Sequence, residues 1–281
     1  GINIHDILNF FADRKDSGKI KESKNLFFDA KNSYIYLGKN RRVISDTISL
    51  KYIDKFLSAK LKHKQGNAFF ELNNDILHLY GEKFNDEFMD KLFANSKFKN
   101  GALEFYINGS VKEYGGVIYA KDTTILDYKI LNNILAFVNT VPSLVTFSLP
   151  GYNKNGIEAK SAYIKFNFKD DMYHISDVYL KSKEIDIAGF GEASIDKNRI
   201  DLDLNLKTDL GSSISKIPLI GHILLGKESV STTLKVTGAL DNPDVTTQIA
   251  KDIVVAPFNI IKRTLMYPFE LFKNQDDKES D

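Results

Sequence analysis

The stretch IDLDLNLKTDL, residues 200–210, decides how this chain folds. Ile200, Leu202, Leu204 and Leu206 alternate with Asp201, Asp203, Asn205 and Lys207. Neighbouring side chains of a strand point to opposite sides, so a period of two puts four aliphatics on one face and four polar groups on the other. Such a strand buries one face and can leave the other in water. Next comes an apolar segment over 213–225 that reads as a short helix, interrupted by Pro218 and closed by Gly226. A second strand follows with Val230, Leu234 and Val236 on one face; it ends at Gly238, ahead of a turn at Asp241-Asn242-Pro243-Asp244. The tail of the chain is an amphipathic segment entered through Pro257 and broken at Pro268.

Upstream, the same alternation recurs about every ten residues. NLFFDA and SYIYLG, then AFFEL and DILHLYG, read as strands. So do ALEFYINGSV and GGVIYAKD, and after 156 the run SAYIKFNF, MYHISDVYLKS and EIDIAGFGEASI leads into the strand at 200. Asp170-Asp171 and Asp196-Lys197-Asn198 are natural hairpin turns. Residues 46–62 stay ambiguous: the first half alternates like a strand, while Ile53, Phe56, Leu57 and Leu61 fit a helix. Helices are expected at 2–13, at 85–95 with Asn85 as cap, and from Asp127 with the stripe Ile130, Leu131, Ile134, Leu135 and Val138. The expected fold is therefore mainly β with amphipathic helices (α+β): an antiparallel meander forming a curled, groove-like β-sheet, punctuated by four or five helices.

Several classes of function are disfavoured by composition. Net charge is +1 in 281 residues, which gives no electrostatic case for nucleic acid. There is no cysteine, so disulfides and thiolate metal sites are excluded. The five histidines, His5, His63, His78, His174 and His222, have no metal-ligand spacing. No nucleophile elbow or phosphate-cradling loop is present, and Gly189-Phe190-Gly191 inside a strand marks a bulge or a close approach. Asp201 and Asp203 could bind a cation, but their alternation is that of a solvated strand face. The reading is of a non-enzyme that needs no cofactor and no metal. No window holds the roughly 18–20 apolar residues of a membrane-spanning helix.

Ile217-Pro218-Leu219-Ile220-Gly221 with Leu225-Gly226, Val236-Thr237-Gly238 with Asn242-Pro243-Asp244-Val245, and Pro257-Phe258-Asn259-Ile260-Ile261-Lys262-Arg263 with Pro268-Phe269 occur in this order. In order and spacing they resemble the C-terminal module of the AsmA-like family, the TamB/YhdP/AsmA-type bacterial envelope proteins. The likeness is clear over about residues 185–272 and looser over about 95–185. It implies a β-groove with an apolar interior, located in the periplasm and anchored to the inner membrane through a segment absent from this chain. The implied partners are phospholipid, the inner leaflet of the outer membrane, and possible outer-membrane proteins. The domain reading that results is 1–80 as a preceding segment, 81–245 as the groove module, 246–272 as an amphipathic helical segment and 273–281 as a disordered tail.

The candidate groove face comprises Leu103, Phe105 and Ile107; Ile164, Phe166 and Phe168; Ile185 and Ile187; and Ile200, Leu202, Leu204 and Leu206. Two readings are open: a core sealed by the helices, or a trough left partly open for acyl chains. The segment 257–272 also has two readings, a helix resting on a membrane or one capping the sheet, carried by Phe258, Ile261, Lys262, Arg263, Leu265 and Phe269. The function expected from the resemblance is transport of phospholipid between inner and outer membranes, the acyl chains shielded in the groove. The alternative is an assembly module that binds a protein partner at the outer membrane by strand addition.

Overall fold

Alternating strands joined by short turns build one sheet. The computed structural model describes residues 2–3, 25–37, 41–94, 96–140, 156–183, 185–209, 223–225, 229–240 and 242–248. Its strands are β1 (Ile2–Asn3), β2 (Leu26–Tyr36), β3 (Arg42–Ile53), β4 (Phe56–His63), β5 (Gly66–Asn73), β6 (Ile76–Phe84), β7 (Lys97–Lys99) and β8 (Ala102–Ser110). They continue as β9 (Tyr114–Asp127), β10 (Ile157–Lys169), β11 (Met172–Ser182), β12 (Ile185–Ser194), β13 (Arg199–Asp209), β14 (Ile223–Leu225), β15 (Ser229–Ala239) and β16 (Asn242–Gln248). Two helices lie among the described residues, α1 (Asp86–Leu92) and α2 (Lys129–Thr140). The sheet order is β1-β2-β3-β4-β5-β6-β8-β9-β10-β11-β12-β13-β15-β14, with β7 beside β9 and β16 beside β15. Apart from the short parallel pair β1–β2, every pairing is antiparallel. The two ends of this path do not meet, so the sheet is an open, curled meander.

The two rims of the sheet differ. On one, β3–β4, β5–β6, β8–β9, β10–β11 and β12–β13 are joined by turns of two to four residues. Asp54, Lys55, Asn74, Asp170, Asp171 and Asn198 adopt positive φ there, the left-handed backbone that tight hairpins require. At the other rim the chain leaves the sheet after β6 and after β9, and α1 and α2, which follow those strands, pack back onto its face. The helices therefore cover the face from one side only.

Asn85 caps α1 as expected, its side chain accepting a hydrogen bond from the Phe88 amide at 3.3 Å. Phe88 and Met89 then face the sheet, fully buried against Ile44, Phe84 and Leu103. Phe84 stacks on Phe88 with ring centroids 3.9 Å apart and lies 5.7 Å from Phe105. Its ring also fills the space over Gly66, where an added Cβ would come within 2.5 Å of it. Phe84→Ala is expected to cost about 3–5 kcal/mol in urea denaturation. A loss below about 1 kcal/mol would mean that α1 does not depend on this ring.

Several expectations are corrected. Residues 46–62 form β3 and β4, not a helix, because the turn at Asp54-Lys55 lets Leu50 and Ala59 face one another across the pair. NLFFDA and SYIYLG are one strand, β2, with an irregular residue at Asn32 (φ 50°). Asp127 ends β9 instead of opening a helix; α2 starts at Lys129, and Asp127 accepts a hydrogen bond from the Asn132 side chain at 2.7 Å. Ile223–Leu225, expected at the end of a helix, is a strand paired with β15; the rest of 210–222 lies outside the described residues. Asn242-Pro243-Asp244 is not a turn but the start of β16, where Pro243 costs the sheet little because the strand pairs on one side. Ile2–Asn3 is a short strand; the rest of the helix expected over 2–13 lies outside the described residues, as does the segment carrying Phe258, Ile261, Lys262, Arg263, Leu265 and Phe269.

Candidate functional site, an apolar sheet face

Pairing registers connect the inward positions of successive strands into rows that cross the sheet. The second row from the short-turn rim runs Phe28, Leu50, Ala59, Phe70, Leu79, Ile107, Gly116, Phe166, Ile175, Gly191, Leu202, Val236, Val245. The third runs Ala30, Ile48, Leu61, Ala68, Gly81, Phe105, Ile118, Ile164, Val178, Gly189, Leu204, Leu234. The second row contains no polar side chain, and the third contains none before Thr247 of β16, which pairs with Leu234. Twelve steps between strands at about 4.8 Å each make the second row roughly 58 Å long, close to twice the ~30 Å hydrocarbon core of a bilayer.

All twelve groove residues read from the sequence lie on this face, linked by these rows and their neighbours. Their surroundings differ. Ile185, Ile187, Ile200, Leu202, Leu204 and Leu206 are buried in one cluster with Leu131, Ile134 and Leu135 of α2. Leu103 is buried under α1, with Phe105 packed against the same cluster. Phe166 is buried at 6% exposure, and Ile107, Ile164 and Phe168 are half-buried. Sequence reasoning did not single out Phe70 and Leu79 of the second row, or Leu72 and Leu77 beside them toward the short-turn rim; all four are half-buried and in neither helix-capped cluster. Their signal was the alternation of Ala68, Phe70 and Leu72, obscured because Phe69 is also aromatic. The sheet passes position 80 without a break, inside β6.

The face thus has two parts. Toward β12–β15, α2 closes it; it is held there by packing and by the Asn133 side chain donating to the Pro243 carbonyl at 3.0 Å. Across β5–β10, near the short-turn rim, it is covered by neither helix-capped cluster. Phe166, Phe168, Tyr114 and Tyr173 form an aromatic group at that rim, with centroids 4.7 Å apart for Tyr114–Phe168 and 4.8 Å for Phe168–Tyr173. The Tyr114 and Tyr173 hydroxyls hydrogen-bond at 3.2 Å. Burial, then this bond, push the Tyr114 phenol well above its usual range, so it stays protonated.

The opposite face mixes charged pairs with a second small cluster, in which Val117 and Tyr163 are buried against Tyr119 and Tyr179. Asp201 and Asp203 both reach Lys235, at 2.5 and 3.0 Å. Burial opposes the Lys235 charge, but its bonds to the two carboxylates outweigh this and raise its pKa. At the base of α1, Asp46 accepts from the Lys64 amide at 2.6 Å and meets His63 at 3.0 Å. The amide bond is the main reason the Asp46 carboxyl sits below its usual range. Gly189 and Gly191 sit at a close approach, as expected: an added Cβ would lie 2.1 Å from the Asp203 or Asp201 carbonyl oxygen.

A family model described as YhdP protein matches residues 12–245. The chain belongs to the YhdP family. That places it among the AsmA/TamB/YhdP-type bacterial envelope proteins. Comparison with curated proteins and with solved structures returned no match. The match extends from before β2 into β16, so β2–β15 of the described sheet lie within the YhdP-family region. Among the described residues of this YhdP-family chain, no helix is long and apolar enough to cross a membrane.

Proposed function

We propose that this YhdP-family chain shelters lipid acyl chains on the uncovered part of its apolar face and so serves phospholipid passage between the inner and outer membranes. The observation that carries the reading is the second row, which holds no polar side chain and, among the described residues, lies outside both helix-capped clusters across β5–β10. From Phe70 to Phe166 the second row makes four steps, roughly 19 Å, somewhat more than the half-thickness of a bilayer's hydrocarbon core. Each methylene taken out of water on this surface contributes about 0.8 kcal/mol, so half a lipid tail gains several kcal/mol. The role is non-enzymatic, needs no cofactor, and is exercised in the periplasm. The partners are phospholipid and the inner leaflet of the outer membrane.

Native mass spectrometry with lipid extraction, on protein purified gently from a bacterial envelope, tests this directly. Co-purified phospholipid is the expected result. A clean apo mass, with no uptake of added labelled phospholipid, would sink the reading.

A second reading rests on the edge of the sheet. Among the described residues, β1 pairs with β2 at Ile35 and Tyr36, and Leu26, Phe27 and Phe28 are exposed at 41, 58 and 38%. That edge is suited to strand addition by a protein partner at the outer membrane. Partner capture abolished by proline in β2, with no lipid bound to the parent protein, would favour it.

A further inference from the structure

The first row of the face, nearest the short-turn rim, runs Leu57, Leu72, Leu77, Gly109, Tyr114, Phe168, Tyr173, Ala193. From β4 to β12 the three rows nearest that rim carry side-chain polar atoms at two positions only, Tyr114 and Tyr173. Tyr114 stacks on Phe168 and Tyr173 packs against it at a tilt, contacts that phenylalanine rings would make equally well. The hydroxyls are therefore the unexplained part. A phenol on an apolar surface costs free energy unless it is hydrogen-bonded, and the two satisfy each other only in part. A bond between two hydroxyls uses one of their two protons, which leaves one O–H still able to donate. Beside Tyr114 in the row stands Gly109, which brings no side chain of its own. The pair also sits on the rim that neither helix-bearing excursion joins.

We propose that the Tyr114–Tyr173 hydroxyl pair is a polar subsite at the mouth of the groove, donating a hydrogen bond to an acceptor oxygen at the head of a bound lipid. This rests on the acyl-sheltering reading and adds a direction to it. Tails lie inward along the second and third rows, and the polar end stays at the short-turn rim. The acceptor chemistry is an anionic or carbonyl oxygen, supplied either by the ester groups of a diacyl lipid or by its phosphate.

The test uses the full 281-residue chain and its Tyr114→Phe, Tyr173→Phe double variant, which keeps every ring. Two probes are titrated: dioleoyl phosphatidylethanolamine in mixed micelles, and diphenylhexatriene, a hydrocarbon fluorophore without acceptors. The expected result is a loss of about five- to tenfold in phosphatidylethanolamine affinity, the size of one hydrogen bond, with diphenylhexatriene binding unchanged. A dialkyl ether phosphatidylethanolamine then separates the sources. If its affinity no longer depends on the tyrosines, the acceptor is the ester carbonyl; if it still does, the acceptor is the phosphate. Equal phospholipid affinity in parent and variant would overturn the subsite while leaving the groove standing. Parallel loss for both probes would overturn it too, since the hydroxyls would then only shape the surface. A parent that binds neither probe would remove the groove itself.

Discussion

Leu79→Asp is expected to empty the groove while leaving the protein folded. Leu79 is half-buried in the middle of the second row, between Phe70 and Ile107. Because it belongs to neither helix-capped cluster, a polar group there is not forced into sealed core. Its stability cost is therefore expected at about 1–2 kcal/mol, or roughly 2–4 °C in Tm for a protein of this size. The cost to the ligand is larger. A tail lying along this row would have to desolvate the carboxylate or leave the row, and an unpaired charge among methylenes is among the most unfavourable contacts available. Lipid per protein, measured by extraction and mass spectrometry, is expected to fall by at least tenfold, with the melting curve still cooperative. An unchanged lipid content in a folded Leu79→Asp variant would contradict the acyl-sheltering role of this surface.

Leu204→Asp is expected to do the opposite and unfold the far end of the sheet. Leu204 is 2% exposed, lies between Gly189 and Leu234 in the third row, and is buried with Leu131, Ile134 and Leu135 of α2. Removing a buried leucine costs about 2–5 kcal/mol, and the carboxylate adds a desolvation penalty, so roughly 5 kcal/mol or more is at stake. That approaches the whole stability of many domains, about 5–15 kcal/mol. Urea denaturation is expected to show a lost or strongly shifted transition, with α2 no longer protected. A transition within about 1 kcal/mol of the parent would mean that α2 does not seal this end. The same substitution on the same face thus separates an open half from a closed one.

The alternation in 200–207 was enough to assign strands, an apolar side and an open meander, because a period of two has one structural meaning. It also placed all twelve groove residues on one face. It did not distinguish Leu204 from Phe168, since both alternate alike and only α2 covers one and not the other. Asn85 announced α1 because a cap is a local interaction. Residues 46–62 stayed ambiguous because strand and helix patterns overlapped until the left-handed turn at Asp54-Lys55 was known. The Tyr114–Tyr173 pair had no sequence signal at all: 59 residues separate the two, and only the registers through β10 bring them together.

The order of the strands has a consequence for how such a protein can change in size. Along the main path from β2 to β13, strands that are successive on the path are also neighbours in the sheet. Duplicating one hairpin would therefore lengthen the sheet by about 10 Å without rewiring anything. Strand directions would be preserved, every tight turn would stay on its own rim, and the rows would run on across the inserted pair. Inserting a single strand would instead exchange the rims and strand the helices on the wrong side. Growth by twos is thus the cheap evolutionary step for this architecture, and the span it bridges is a heritable variable separate from the chemistry of its surface.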